Sequence, residues 1–469
     1  MEGITHRQSS SSAIDVTTTD TIEESVFSPL EIEESSAISD IDGYDDDGVS
    51  PLLGNNDGNG TSRTSSNTNG KELADHSHGA GPPGSAGTPQ VIINIIISFV
   101  GAGLLGVPNA FSKSGWLLGS ITLVLVSTLN VYAMLCLPRV QRVVQAKYPN
   151  EIVQSYGDVG RLILGEKGEK VIFLCLGISQ AGFATAYIIF IAANLNSIYG
   201  WSRGLICATC VPGLLGLVQF RELASLSPFS LLANTANFCA LSAVLFQDYE
   251  HYTPHNDAIH KADFGGVIYV MAVTIYSMEG VGLILSLKAS CKQPQQFSYL
   301  LIATLAAITT FMAIFGSAGY WAFGDATLAP ITLNLANHWS ATFVKCSLCL
   351  GLYLTYPIMM FPIWAIIEDA NTTQLSRISV RSAIVLVSAL VAYSVPNFGK
   401  FLSLVGSSIC TLLGFVFPSY FHLHTFGKEL PVWQRGLDTF LLVGGFSFGC
   451  MGTYQSVVAM MEGELEGHH

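Results

Sequence analysis

Residues 100–108 read VGAGLLGVP, and Gly101, Gly103 and Gly106 fall in the spacing G-x-G-x-x-G. In a soluble α/β protein that spacing cradles a dinucleotide pyrophosphate between a strand and a helix. The surroundings speak against it. Pro108 follows Gly106 by two residues, the stretch ITLVLVST at 121–128 offers no acid to a ribose, and the first Asp or Glu after the motif is Glu151. The glycines sit instead in an apolar run. Half the chain is hydrophobic, only 12% is charged, and mean hydropathy is +0.45. Soluble domains carry about twice that charged fraction. From Pro89 onward, apolar runs recur that are long enough to cross a hydrocarbon core of about 30 Å at about 1.5 Å per residue. The reading is an all-α polytopic membrane protein.

The spans are expected at about 91–111, 115–137, 170–199, 203–220, 225–247, 265–287, 298–322, 339–365, 379–396, 399–423 and 436–460, eleven in all. Lys and Arg in the connecting loops set the orientation. With the amino-terminal segment in the cytosol, one face collects thirteen bases, among them Arg139, Arg142, Arg161, Lys288, Arg381 and Arg435. The other collects five: Lys113, Arg203, Lys261, Lys345 and Lys400. The sequons at Asn59 and Asn371 both fall on the cytosolic side and are expected to stay unglycosylated.

Residues 1–88 form an acidic cytosolic tail. Residues 1–90 hold 16 Asp and Glu against Arg7, Arg63 and Lys71, so this segment alone accounts for the net charge of −13. Its Ser, Thr, Asp, Glu, Asn and Gly cannot bury enough apolar surface to fold. No apolar segment precedes residue 90, so no signal peptide is expected. The run Asp45-Asp46-Asp47 before Val49-Ser50-Pro51-Leu52-Leu53 is either a sorting signal of the acidic-dileucine kind or ordinary tail. Residues 461–469 make a short carboxy-terminal tail. The ten cysteines show no disulfide framework. Cys207, Cys210, Cys346 and Cys349 lack the partners of a metal site and read as small hydrophobes.

Three glycines and a proline in so short a stretch break a helix. In hydrocarbon, freed backbone groups cost several kcal/mol unless something polar meets them, so a break is tolerated where it lines a cavity. There, amides at the start of the second half-helix hold an anion and glycine admits the ligand to the backbone. The other reading of the glycines is close helix packing through small residues. The sixth span repeats the pattern. Its centre, Tyr276-Ser277-Met278-Glu279-Gly280-Val281-Gly282, has two glycines and an acid. Glu279 is the one acid read as lying well inside a span. It is either a group that takes and releases a proton or a structural acid bonded to freed backbone. Breaks in spans one and six fit two five-helix halves, about 91–247 and 265–423, each opening with a discontinuous helix, followed by an eleventh helix.

VGAGLLGVPNAFSKSGW (100–116), YSMEGVG (276–282) and the FGD…TLNL stretch from Phe323 to Leu335 resemble the amino acid/auxin permease family. The Met-Glu-Gly form is most similar to its proton-coupled and vacuolar amino acid transporter branches. The resemblance covers about residues 89–460. It implies eleven helices in a LeuT-like inverted repeat and symport of small amino acids. It places the substrate carboxylate at Gly101, Ala102, Gly103, Leu104 and Gly106. The amine falls to the broken part of span six, with Tyr276, Ser277, Glu279 and Gly280. Ser286-Leu287-Lys288 departs from the proton-coupled branch, which tends to carry a further acid there.

Tyr187 and Asn194, seven apart in span three, share a face and either line the cavity or bond to neighbouring helices. Thr355 in span eight either helps hold Na⁺ or bonds back to its own helix. The expected function is secondary active transport of small neutral amino acids, driven by protons through Glu279, at a vacuolar, lysosomal or plasma membrane. Sodium coupling, or a sensor signalling through the tail, are the alternatives. The expected partners are the substrate, the bilayer and a sorting adaptor or signalling protein at the tail. No nucleic acid, no cofactor beyond the coupling ion, no metal and no enzymatic cluster is expected.

Overall fold

The computed structural model describes residues 84–220, 263–335, 338–368, 373–395 and 397–466, with 242 and 244–246. Apart from 242 and 244–246, the fifth expected span lies outside the described residues, as do most of the loop that follows it, Asn59, Asn371 and most of the tail.

What is described is helical. The first span is α1 (Thr88–Phe99), a 3-10 turn (Ala102–Gly106) and α2 (Val107–Ser114), bent by 47° at the break. Pro89 and Pro108 sit in the first turns of α1 and α2, where a missing N–H costs nothing. Gly115, at φ 86, takes the left-handed conformation that reverses the chain into α3 (Trp116–Lys147). A short helix, α4 (Tyr156–Leu164), opens with a capping box between Ser155 and Asp158. Next come α5 (Glu166–Tyr199) and α6 (Arg203–Leu217).

The sixth span is split into α7 (Val267–Ser277) and α8 (Ile284–Ser290). It is followed by α9 (Phe297–Phe323), α10 (Trp339–Ile367) and α11 (Gln374–Ser394). The tenth span runs from α12 (Phe398–Val405) through two π-turns, Gly406–Cys410 and Leu412–Val416, into α13 (Phe417–Phe426). Last is α14 (Val432–Glu466).

Among the described residues, seven helices have the length and apolar composition to cross a bilayer, and the bent first pair makes an eighth. Ile93, Leu117, Ile121, Leu125, Leu174, Ile314, Leu386, Leu390, Phe440 and Phe446 stand exposed on their outer faces. So much bare hydrocarbon is tolerable only against lipid. The second, third and last helices extend past the expected span limits, because their polar ends continue the helix beyond the apolar stretch. Inside, α1 to α3 pack with α7, α9 and the tenth span, so the two breaks are buried.

One group of charges at the edge of the bundle is paired. Arg381 of α11, 4% exposed at its side chain, grips both oxygens of Glu368 at 2.6 and 2.8 Å. It also donates to the Val218 and Phe220 carbonyls beyond α6, at 2.6 and 3.0 Å, and lies over the Trp364 ring. Arg377 adds a second cation 3.0 Å from Glu368. Three segments are thereby tied: the ends of α6 and α10 and the start of α11. The end of the bundle where residue 84 enters is here called the tail side.

Candidate functional site

The first helix stops because its ladder ends. The Val100 amide closes on Ile96 O at 2.8 Å, and Gly101 is fully extended at φ −124, ψ −166. The next turn begins with Leu104 N–H on Gly101 O at 3.3 Å, leaving the amides of Ala102 and Gly103 at its open start. Ala102, Gly103, Leu104 and Gly106 are buried. A Cβ built on Gly101 would meet nothing within 4 Å, so space is open beside that backbone.

The second break lies against the first. A Cβ on Gly103 would fall 2.5 Å from Ser277 Oγ and 2.9 Å from the Tyr276 ring. One on Gly280 would strike the Phe99 ring at the end of α1. The glycines therefore serve close approach at Gly103 and Gly280 and leave room at Gly101. The Met278 carbonyl, freed where α7 ends, accepts from Asn130 Nδ2 of α3 at 3.2 Å. Ser277 donates back to Val273 O at 2.8 Å.

Glu279 projects from this break. Its carboxylate accepts the Val281 N–H, while the second oxygen, Oε2, is buried without a partner. A Cβ on Gly414, in the second π-turn of the tenth span, would lie 3.7 Å from both Glu279 Oε2 and Asn130 Oδ1. Asn130 Oδ1 is also buried and unpartnered. Two bare acceptors thus face one small space with no donor assigned to either. Such an arrangement is costly unless a proton or a cationic group enters it. Tyr156 of α4 supports the same π-turn by donating to Leu413 O at 3.0 Å.

Tyr276 forms the aromatic wall. Its ring meets Phe183 edge to face at 4.8 Å between centroids, and its hydroxyl is buried without a partner. Tyr187, one turn from Phe183 on α5, is buried near Tyr276. Of the residues expected at the site, the structure brings together Gly103, Tyr276, Ser277, Glu279 and Gly280, with Tyr187 behind Tyr276. Gly106 packs on Leu402 and Val273 instead. Thr355 donates to Gly351 O of its own helix at 2.8 Å, and no hydrogen bond among the described residues brings it to the break. Asn194 bonds to the Phe190 carbonyl and accepts from Thr332 at 2.7 Å, so it ties helices together.

The far side of the site is closed by the FGD…TLNL stretch. Asn109 of α2 donates to Thr327 O at 2.7 Å and accepts from the Tyr269 hydroxyl of α7 at 3.0 Å. Asn334 clasps the loop through Leu328 N and Ala326 O. On the tail side, residues 84–86 pair in parallel with the end of α8: Gly84 N to Ala289 O, Ala86 N to Ser290 O and Lys292 N to Ala86 O, at 2.9–3.0 Å. The broken pair is therefore tied by hydrogen bonds at each end. The sequence reading missed Asn109, Asn130 and Gly414. It also missed a second buried acid, Asp438 of α14.

The family described as Transmembrane amino acid transporter protein matches residues 84–461. Amino acid transporter ANT1 of Arabidopsis thaliana is 35% identical over 398 residues, covering 79% of this chain and 92% of that protein. Vacuolar amino acid transporter 4 of Saccharomyces cerevisiae is 26% identical over 427 residues, covering 80% of this chain and 58% of that protein. Among solved structures, a Na⁺-coupled sialic acid symporter in its substrate-bound outward-open state covers 83% of this chain and 92% of its own, at 12% identity and TM-score 0.49, too loose a likeness to carry an argument. With the match running from just before α1 to near the end of α14, the chain is a multi-pass membrane protein that belongs to the transmembrane amino acid transporter family.

Proposed function

We propose that this chain is a secondary active symporter that moves small neutral amino acids with protons, at a vacuolar membrane, through a LeuT-like pair of broken helices. The observation that carries the reading is the buried pair of unpartnered acceptors, Glu279 Oε2 and Asn130 Oδ1, beside the two breaks. The open amides after Gly101 suit a substrate carboxylate. The acceptor pair opposite suits an ammonium or a proton. Tyr276 and Phe183 limit the room for a side chain. A proton on Glu279 supplies the missing donor and lets the site close without a bare charge. The resemblance of this chain to vacuolar transporters supports the choice of membrane.

The test is uptake into proteoliposomes under an imposed pH or sodium gradient, screened over amino acids. Proton-driven accumulation in the wild type is expected, together with its loss in Glu279→Gln while exchange of internal for external substrate continues. Accumulation driven by sodium alone, or a Glu279→Gln variant with unchanged dependence on the proton gradient, refutes the coupling assignment.

A further inference from the structure

A second polar cluster lies away from the breaks, on the tail side of the bundle. It is built by three spans: Tyr132 and Cys136 from α3, His422 from α13 and Asp438 from α14. His422 Nδ1 and Asp438 Oδ2 are 2.6 Å apart, with side chains 2% and 0% exposed. The Tyr132 hydroxyl donates to Asp438 Oδ1 at 2.9 Å. The Cys136 thiol is fully buried, lies 3.4 Å from Tyr132 O of its own helix and is also bonded to the Tyr132 side chain. One ligand atom from each of Cys136, His422 and Asp438 lies within 4.8 Å of the other two.

We propose that Cys136, His422 and Asp438 form a binding site for a divalent transition-metal ion, zinc above all, which joins the last helix to the transport bundle. The donor set is one thiol, one imidazole and one carboxylate. This borderline-soft set suits zinc and excludes the hard cations magnesium and calcium, which take oxygen. Zinc bonds of about 2.0–2.3 Å set ligand atoms roughly 3.3–3.8 Å apart in a tetrahedron. The three ligand atoms lie within 4.8 Å of one another, so metal binding requires the wider separations to close and the 2.6 Å His422–Asp438 pair to open. Tyr132, already on Asp438, holds the carboxylate in place and stands next to the fourth position. Binding displaces the thiol proton and the proton shared between His422 and Asp438, both of which pass to solvent.

Cys136 lies one turn before Arg139, near the polar end of α3. The site shares no residue with the breaks, and its success or failure is independent of the transport reading.

The experiment uses the full chain, purified in detergent, stripped of metal and titrated with zinc alone and with cobalt alone. One metal ion per chain is expected, with a thiolate-to-cobalt charge-transfer band and a zinc-dependent rise in Tm. Cys136→Ser exchanges the thiolate ligand for a hydroxyl that can keep the bonds to Tyr132, and it leaves the His–Asp pair intact. It is expected to lose the band and at least tenfold in affinity, and His422→Gln combined with it is expected to abolish binding. A wild-type chain that takes up no more zinc than the double variant overturns the proposal. So does bound cobalt without a thiolate band.

Discussion

Gly103 and Ser277 touch: a Cβ built on Gly103 would come within 2.5 Å of the Ser277 hydroxyl and 3.0 Å of its Cα. The serine side chain can rotate away, but the backbone beneath it cannot. Gly103→Ala should therefore push the two breaks apart while the protein still inserts, with transport falling on the order of tenfold to a hundredfold as the binding geometry is lost. Uptake per correctly inserted protein measures it. An alanine variant with wild-type rates would mean that the breaks need not meet.

Gly101→Ala separates room for ligand from room for packing. No heavy atom lies within 4 Å of the new methyl group, and the backbone angle at Gly101 suits any residue. Its Tm should match the wild type, whereas KM for the substrate should rise several-fold because the methyl enters the space beside the open amides. A fall in Tm with unchanged KM would place the substrate elsewhere.

Asn130→Ala deprives the Met278 carbonyl of its donor at the second break. Leaving a buried acceptor bare costs about 1–3 kcal/mol. Thermal unfolding in detergent should show that loss. Transport should fall with it, more steeply than in a control that trims an exposed residue of the same helix, such as Leu125→Ala.

Tyr269→Phe removes one bond of the far-side closure and leaves the ring. The expected result is easier opening toward that side, read as faster labelling of a cysteine placed at Ser317 of α9, with a stability cost of about 1 kcal/mol. Unchanged labelling would show that Asn109 and the loop hold the closure without it.

Arg381→Lys should fail to replace arginine. The guanidinium binds Glu368 with two nitrogens and reaches two carbonyls besides, a geometry that a point ammonium cannot reproduce. Breaking a buried pair costs about 3–5 kcal/mol, so poor recovery of folded protein is expected from expression and size-exclusion profiles.

The first three spans and the sixth to tenth were legible because apolar length is a direct consequence of bilayer thickness, and the breaks because clustered glycines, with Pro108 at the first, do not sustain a helix. What supports the breaks was harder to see. Asn130 is a single amide in the middle of an apolar helix, and only the three-dimensional meeting with Met278 O gives it a role. The π-turns around Gly406 and Gly414 leave little mark beyond a few small residues. Asp438 reads as the polar flank of the last span, since sequence does not reveal that His422 and Tyr132 come to meet it. Asn109 lay within the quoted motif but drew less notice than the glycines beside it, although it closes the far side.

The short parallel ladder between residues 84–86 and 289–292 gives the amino-terminal segment a mechanical address. A chain that entered the membrane through a slack connection would dissipate any tug in the headgroups. Here three backbone hydrogen bonds fasten residues 84–86 to the lower arm of the sixth span, ten residues beyond Glu279 at the closest pairing.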